Sequence, residues 1–179
     1  MICIKLEDLK NIKVPSAMIK KLLPPKKAVS TVDTSGDGKA DSVKITVLNV
    51  LMPFGIPSKE DLGDFDVDEI DPSEHGKLLL DGENIDISKG ATNIELIKQS
   101  LRVHHKGESF TFNDAIGGKM GGRTVAMGDE ITVVFKLDDA FLGKLTEGKH
   151  TMAIESEKVP NIEIGFELTD KNMNQPFSP

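Results

Sequence analysis

Large aromatic side chains are what this sequence has least of: its 179 residues include eight Phe but no Trp and no Tyr. Carbohydrate platforms and base-stacking surfaces need large flat rings, and Trp and Tyr are enriched at the centres of protein interfaces. We therefore expect no sugar-binding platform, no base-stacking surface and no aromatic-rich interface.

Cysteine and long apolar runs are nearly absent as well. The single cysteine, Cys3, excludes an internal disulfide and a cysteine cluster for zinc or iron–sulfur, and we interpret it as a small buried apolar residue. No run approaches the roughly 18 apolar residues of a membrane helix. The start also lacks the charged and then apolar pattern of a signal peptide. We therefore expect a soluble protein, from which any secretion signal has been removed.

Negative charge is in excess, but it is unevenly placed. The chain carries a net charge of −7, whereas residues 1–27 hold seven Lys against two acidic residues, or +5, which leaves −12 for the rest. We expect this basic arm to contact the protein's own acidic body. Its short helix, with Met18 to Leu23 supplying an apolar face beside Lys20 and Lys21, would alternatively lie on a membrane surface. The pI of about 5.1 argues against nucleic-acid binding.

The most specific motif is the loop of residues 33–41, with the sequence DTSGDGKAD. Oxygen-bearing side chains occupy loop positions one, three, five and nine, and glycine occupies position six, where calcium loops turn sharply. The spacing predicts a Ca²⁺ site held by side chains and one backbone carbonyl, directly or through water; its residues are Asp33, Ser35, Asp37, Lys39 (carbonyl) and Asp41. The alternative is an Asp-Gly-rich turn without a metal.

A second acidic stretch covers residues 60–74, where Asp64, Asp66 and Asp68 alternate with apolar residues. In an extended conformation such a row presents one edge of carboxylates. It would either hold a second hard cation or form a solvated loop or edge strand whose like charges discourage strand pairing.

From Lys77 onward the pattern is typical of an all-β domain. Short apolar segments are separated by Asp-Gly and Lys-Gly pairs, which predict hairpins, and residues 94–103 are predicted as one of the strands. The glycine-rich stretch of residues 117–122 lacks the Lys-Ser or Lys-Thr pair of a nucleotide loop, because Met120 follows Lys119. We expect it to be a mobile loop or a wide hairpin connection, or to allow close backbone approach to a ligand.

Two family resemblances follow from these motifs. Asp33, Ser35, Asp37, Gly38 and Asp41 resemble the calcium loops of FG-GAP repeats and dockerin-type modules, over nine residues; Lys44 stands where an EF-hand has its bidentate Glu. Residues 128–168, with Phe141-Leu142 and the Glu147–Thr151 segment between strands, are similar to the closing half of the immunoglobulin-like X modules of cellulosomal and other bacterial surface proteins. That second resemblance implies a β-sandwich that spaces domains or mediates contact, without catalytic residues.

Residues for catalysis are not grouped in any motif we can identify. Of the four histidines, His75, His104, His105 and His150, the adjacent pair in a predicted strand should point to opposite faces and so cannot clamp one metal. No serine lies in a Gly-x-Ser-x-Gly elbow, and the Asp pairs fall at strand ends where solvation explains them. We therefore expect no enzyme activity.

The sequence as a whole predicts a mostly β, immunoglobulin-like sandwich with one or two short helices. Residues 1–29 would form the basic arm with its helix, residues 30–168 the sandwich, and residues 169–179 a flexible tail. The expected function is a calcium-stabilised structural or adhesion-type module, outside the cell or on its surface, that contacts another protein or a surface component. One alternative is a lipid or small-ligand carrier whose Met18–Leu23 helix covers an apolar cavity. A second is an enzyme of unknown class, with the loop of residues 117–122 over an acidic site.

Overall fold

Strands dominate the structure, a computed structural model that describes residues 16–56, 58–62, 71–74, 76–156 and 161–177. The mainly-β prediction is confirmed. Cys3, which was interpreted as a buried apolar residue, His75 and most of the acidic stretch, residues 63–70, lie outside the described residues. The strands are β1 Val29–Asp33, β2 Ser42–Leu48, β3 Phe54–Gly55, β4 Lys77–Leu80, β5 Glu83–Ile85, β6 Arg102–His105, β7 Glu108–Thr111, β8 Thr124–Val125, β9 Glu130–Lys136, β10 Gly148–Glu155, β11 Ile162–Leu168 and β12 Gln175–Pro176.

Helices are short and lie between the strands. Two of them begin at a polar cap: Asp138 accepts a hydrogen bond from the Phe141 N–H, and Thr111 forms a reciprocal capping box with Asp114. None of the helices in the described part is long and apolar enough to cross a membrane. The helices are α1 Ser16–Leu22, α2 Lys59–Leu62, a 3-10 helix Pro72–Glu74, α3 Thr92–Ser100, α4 Phe112–Ile116 and α5 Asp139–Leu142.

The largest sheet has six strands in the order β12-β1-β2-β9-β6-β7. All its pairs are antiparallel except β12 with β1, which run parallel. The β6–β7 hairpin closes through Lys106 and Gly107, both with positive φ, as the tightest hairpin turns require. The β1–β2 hairpin instead closes through the long loop that carries the candidate calcium motif.

A second sheet has four strands in the order β11-β10-β4-β5, and β3 pairs with β8 in a two-stranded ribbon. The turn between β4 and β5 is Asp81-Gly82, again with positive φ at both residues. Strand β10 is therefore central, with β4 along one side and β11 along the other.

The two larger sheets share one apolar core. The six-stranded sheet contributes Val29, Val43 and Phe135, while the four-stranded sheet contributes Leu80, Met152, Phe166 and Leu168, all less than a tenth exposed. In β10 and β11 the buried residues alternate with more exposed ones, so every second side chain faces the core, whereas β1 is buried at every position. Burying each such side chain contributes about 1.5–3 kcal/mol to folding.

Two segments differ from the sequence-based expectation. Residues 94–103 were predicted as a strand, but α3 occupies Thr92–Ser100, because Ile94, Ile97 and Leu101 follow helical spacing and the last two pack against the core. Residues 169–179 were predicted as a flexible tail, yet β12 extends the six-stranded sheet and the Phe177 N–H donates to the Asp33 carbonyl at 3.1 Å.

Candidate functional site

The predicted calcium loop joins β1 to β2. Asp33 is the last residue of β1 and is only 7% exposed, whereas residues 34–39 are exposed at the tip. The two strands pair from Val32 with Ser42 downwards, so the hairpin register holds both ends of the loop close together. Asp33 and Asp41 are therefore positioned by the sheet, and the residues between them by the turn.

Asp33 organises the turn through backbone donors. Its carboxylate accepts hydrogen bonds from the Gly36 N–H at 2.6 Å, the Gly38 N–H at 2.7 Å and the Ser35 hydroxyl at 3.0 Å. Both glycines have positive φ, 81° and 86°, which an L side chain rarely adopts. The Gly38 N–H is the main cause of the lowered pKa of Asp33, with burial opposing it.

Asp41 closes the other end of the loop. It accepts hydrogen bonds from the Thr34 N–H and hydroxyl and from Ser42, and the Lys136 ammonium lies 2.8 Å from its Oδ2. Burial raises the pKa of Asp41, but Lys136 and the Thr34 and Ser42 donors outweigh it and bring that pKa down to about 2. Lys136 reaches Asp41 because Ser42 pairs with Lys136 across β2 and β9.

The remaining predicted ligands lie at the exposed tip. Ser35 donates to Asp33, and the Asp37 carboxylate accepts one bond, from the Lys39 N–H at 2.9 Å. The structure thus brings all five residues into one turn. Within the described ranges, however, no group of three or more Asp, Glu, His or Cys side chains is arranged to hold a metal.

An open cleft of about 480 Å³ lies beside this loop. Asp37 and Asp41 line one side and Asp138 and Asp139, at the start of α5, line the other, with Lys136 among them. Asp138 is hydrogen-bonded within the protein: it caps α5, and it exchanges two hydrogen bonds with Asn93, each 2.9 Å long. The loop motif alone could not predict that Asp138 and Asp139 lie beside it, because α5 is about 100 residues away along the chain.

A cluster of exposed apolar side chains forms a second surface feature. Leu51, Met52, Phe54 and Met127 are 40%, 74%, 46% and 69% exposed, and all lie on the β3–β8 ribbon or next to it. We call these four residues the apolar patch. Exposed apolar patches on soluble proteins commonly mark interaction sites.

A single buried side chain, Asn49, holds the two segments of the apolar patch together. Its amide donates to the Val125 carbonyl at 3.1 Å and the Ala126 carbonyl at 3.0 Å, and its Oδ1 accepts from the Leu51 N–H at 3.0 Å. Asn49 is only 4% exposed. These bonds fix residues 49–54 against residues 125–129, so the patch is preorganised.

Three histidines lie in the described part, and each contacts a neighbouring side chain. His104 and His105 lie in β6 and face opposite sides, as predicted; His105 contacts Asp129 at 3.4 Å and His104 packs against the Phe177 ring. Burial, and secondarily Arg102, lowers the pKa of His104. His150 is hydrogen-bonded through Nδ1 to Asp81 at 2.7 Å and through Nε2 to the Thr146 carbonyl at 2.8 Å.

The glycine-rich stretch is a tight packing site. Gly118 has a φ of 75°, and a Cβ there would collide with the backbone N and Cα of Lys59 in α2. Lys119 pairs with Asp114 instead of facing an open cradle, and Met120 is buried. Gly118 therefore allows a close backbone approach, but the approaching group is α2 of the same chain and not the ligand expected from the sequence.

An open groove of about 690 Å³ lies between α1 and strands β10 and β11, and Lys20, Lys149 and Thr151 are among the residues that line it. Ile19 and Leu23 form its apolar wall, and Glu163, Gly165 and Glu167 border it on the β11 side. Leu23 also packs against the core, so the groove lies at the rim of the core and not between the two sheets.

Comparisons with known proteins gave no further information: no family model matches the sequence, and no curated protein matches it significantly. The functional reading therefore depends on the loop, the apolar patch and the groove.

Proposed function

We propose that this protein is a non-catalytic structural or adhesion-type module, an immunoglobulin-like β-sandwich whose β1–β2 loop is stabilised by Ca²⁺. The observation that carries the proposal is the loop geometry. The carboxylate of Asp33, at position one, accepts a hydrogen bond from the N–H of Gly38, at position six. The single core shared by two mostly antiparallel sheets supports the sandwich.

The donor chemistry of the loop suits a hard cation. Carboxylates, a hydroxyl and a backbone carbonyl are the oxygen ligands that Ca²⁺ takes, and each carboxylate oxygen can accept more than one bond. Asp33, Ser35 and Asp37 would supply oxygens at positions one, three and five, and the Lys39 carbonyl the oxygen at position seven. Asp41 at position nine would act through water, which leaves its ion pair with Lys136 in place.

Location follows from the affinity expected for such a loop. Lys44 stands at position twelve, so no bidentate Glu contributes there. Extracellular modules with open loops bind Ca²⁺ with dissociation constants of about 10⁻⁴ to 10⁻³ M. We therefore place the protein outside the cell or on its surface, where calcium reaches such concentrations.

Calcium titration by calorimetry, combined with thermal unfolding, tests the metal. We expect heat of binding, and a stabilisation of about 1.4 kcal/mol when Ca²⁺ exceeds its dissociation constant tenfold, which millimolar Ca²⁺ reaches at the tighter end of that range. Asp37→Asn should remove both effects, because it replaces the carboxylate proposed as the ligand at position five by a neutral amide. The Asp37 side chain makes only one bond within the loop, from the Lys39 N–H. Asp86→Asn is the matched control, since Asp86 closes a similar exposed turn with Ser88 elsewhere. Absence of heat and of stabilisation at millimolar Ca²⁺ would end the calcium proposal.

The apolar patch supports the binding part of the proposal. Its side chains remain exposed although Asn49 holds their backbone in place, and Met side chains adapt to irregular partner surfaces. Patches of this kind on monomers commonly contact another protein. The partner we propose is therefore a protein or a surface component with an apolar face.

A small-ligand carrier is the second candidate, and the groove beside α1 favours it. The groove is large enough for a small molecule and has an apolar wall formed by Ile19 and Leu23. An apolar fluorescent probe should bind the wild-type protein and lose affinity in Ile19→Ser, with Ala17→Ser on the exposed side of α1 as the control. Equal probe binding by all three proteins would remove this candidate.

A further inference from the structure

Strand β11 forms an outer edge of the four-stranded sheet. Its seven residues pair with β10 on one side, and no described strand pairs with the other side. A strand edge presents a row of N–H and C=O groups, which is a template for another extended segment. Which residues of β11 present those groups depends on the pairing pattern with β10.

Two independent contacts decide that pattern. The Glu167 N–H donates to the Pro25 carbonyl at 2.9 Å, away from β10. In β10, Thr151 uses its N–H and carbonyl on Asp81, at 2.7 Å and 2.8 Å, on the β4 side. Because Thr151 pairs with Gly165, the backbone groups of Gly165 must also point away from β10. Because the direction of the backbone N–H and C=O groups repeats every second residue along a strand, those groups of Glu163 point outward as well.

The outward N–H and C=O of Glu167 are hydrogen-bonded, but those of Gly165 and Glu163 are not bonded to any described residue. Pro25 accepts from the Glu167 N–H, and the Asn172 amide donates to the Glu167 carbonyl at 2.9 Å. The outward N–H and C=O of Gly165 and Glu163 have no hydrogen-bond partner among the described residues. These four groups border the groove beside α1.

Side chains around this edge define the chemistry of an added strand. Glu163 and Glu167 share the solvent face of β11, and neither forms an ion pair with a described residue. Lys149 is the cross-strand partner of Glu167 and lines the same groove, whereas Glu163 lies opposite Ala153. On the core side, the apolar wall of Ile19 and Leu23 borders the groove. An added strand would therefore place one set of alternate residues beside carboxylates and the other set beside apolar side chains.

We propose that the β11 edge binds an extended segment of a partner protein by strand addition, and that this segment alternates apolar with basic residues. The proposal rests on the binding function proposed above and names the partner chemistry. Main-chain bonds to Gly165 and Glu163 give the affinity, while the carboxylate of Glu163, whose cross-strand partner is Ala153, disfavours acidic strands and favours Lys or Arg.

A synthetic six-residue peptide of alternating valine and lysine, with blocked ends, is the probe. We expect it to bind and to slow amide hydrogen exchange at Gly165 and Glu163, whereas the same peptide with glutamate in place of lysine should not bind. Gly165→Pro should abolish binding, because it removes an outward N–H without removing a bond to β10. Gly165→Ala keeps the N–H, and its Cβ enters open space, so it should bind like wild type.

Charge is tested separately by Glu163→Gln, which should weaken binding up to about fivefold, the effect of one exposed charge pair. Thermal unfolding of each variant shows that it is folded. Binding that is unchanged in Gly165→Pro, or absent in wild type at millimolar peptide, overturns the proposal. If, without peptide, the Gly165 amide becomes more protected from hydrogen exchange as the protein concentration rises, the edge binds a second copy of the chain and the proposal is overturned. Repeating the titration with Ca²⁺ and with a chelator separates this outcome from the calcium proposal, since the edge needs no metal.

Discussion

Asn49→Ala should destabilise the protein strongly, because one buried amide supports two segments. The bond to the Val125 carbonyl is fully buried, so its loss leaves a desolvated acceptor that costs about 1–3 kcal/mol. The bonds to the Ala126 carbonyl and from the Leu51 N–H are partly buried, and each contributes about 0.5–1.5 kcal/mol. The contact with the Met52 carbonyl, at 3.4 Å, is too long to add much. Together these give a loss of about 4 kcal/mol.

Urea unfolding followed by circular dichroism measures this loss as a shift in midpoint at constant slope. Asn84→Ala is the control, because Asn84 is an exposed asparagine in β5 and should change stability by less than about 0.5 kcal/mol. Asn49→Asp distinguishes the donors from the acceptor: it keeps an oxygen for the Leu51 N–H but directs a carboxylate at two carbonyls, so it should be at least as damaging as Asn49→Ala. A loss below about 1 kcal/mol in Asn49→Ala would refute the reasoning, since water would then replace the amide at little cost.

Two further predictions concern packing and pH. Gly118→Ala should lower the free energy of unfolding by more than about 2 kcal/mol, because the strain of a positive φ adds to a collision with Lys59. Gly122 has a similar φ but open space around it, so Gly122→Ala should cost only about 1 kcal/mol. Equal losses of stability in thermal unfolding of the two variants would contradict this reasoning. The pKa of His104 is lowered on folding by burial, so below its ordinary value of 6.5 the unfolded chain binds a proton that the folded chain does not. Stability should therefore fall as the pH drops below about 6.5, and His104→Gln should flatten that part of the profile; an unchanged slope between pH 7 and 5 would exclude His104 as the cause.

Several local features follow from neighbouring residues in the sequence. The helix α1 ends at Leu22 before Pro24, as the proline pair required, and α5 begins after its Asp138 cap with Phe141 and Leu142 packed on the core. The loop after Asp33 turns at its glycines, because positive φ is inexpensive only there. Each of these depends on residues a few positions apart.

The strand predicted at residues 94–103 shows where local pattern was ambiguous. Ile94 and Leu96 alternate with Glu95 as in a strand, while Ile94, Ile97 and Leu101 fit one face of a helix. Packing against β9 and the core decides for the helix, and the Ser100 hydroxyl accepts from the Lys136 N–H at the end of β9. Short apolar runs do not settle this choice alone.

The sequence by itself determined the turn residues, the capped helices, the alternation of the strands and the oxygen-rich chemistry of the Asp33–Asp41 loop, because these depend on backbone preferences and near neighbours. Only the tertiary structure decided that Lys136 pairs with Asp41 and that Asn49 joins residues 125–126. It also decided that Gly165 faces the groove, since that orientation depends on sheet order and register. Strand register is set by burial over the whole sheet, so contacts between distant residues cannot be read from either residue's neighbours.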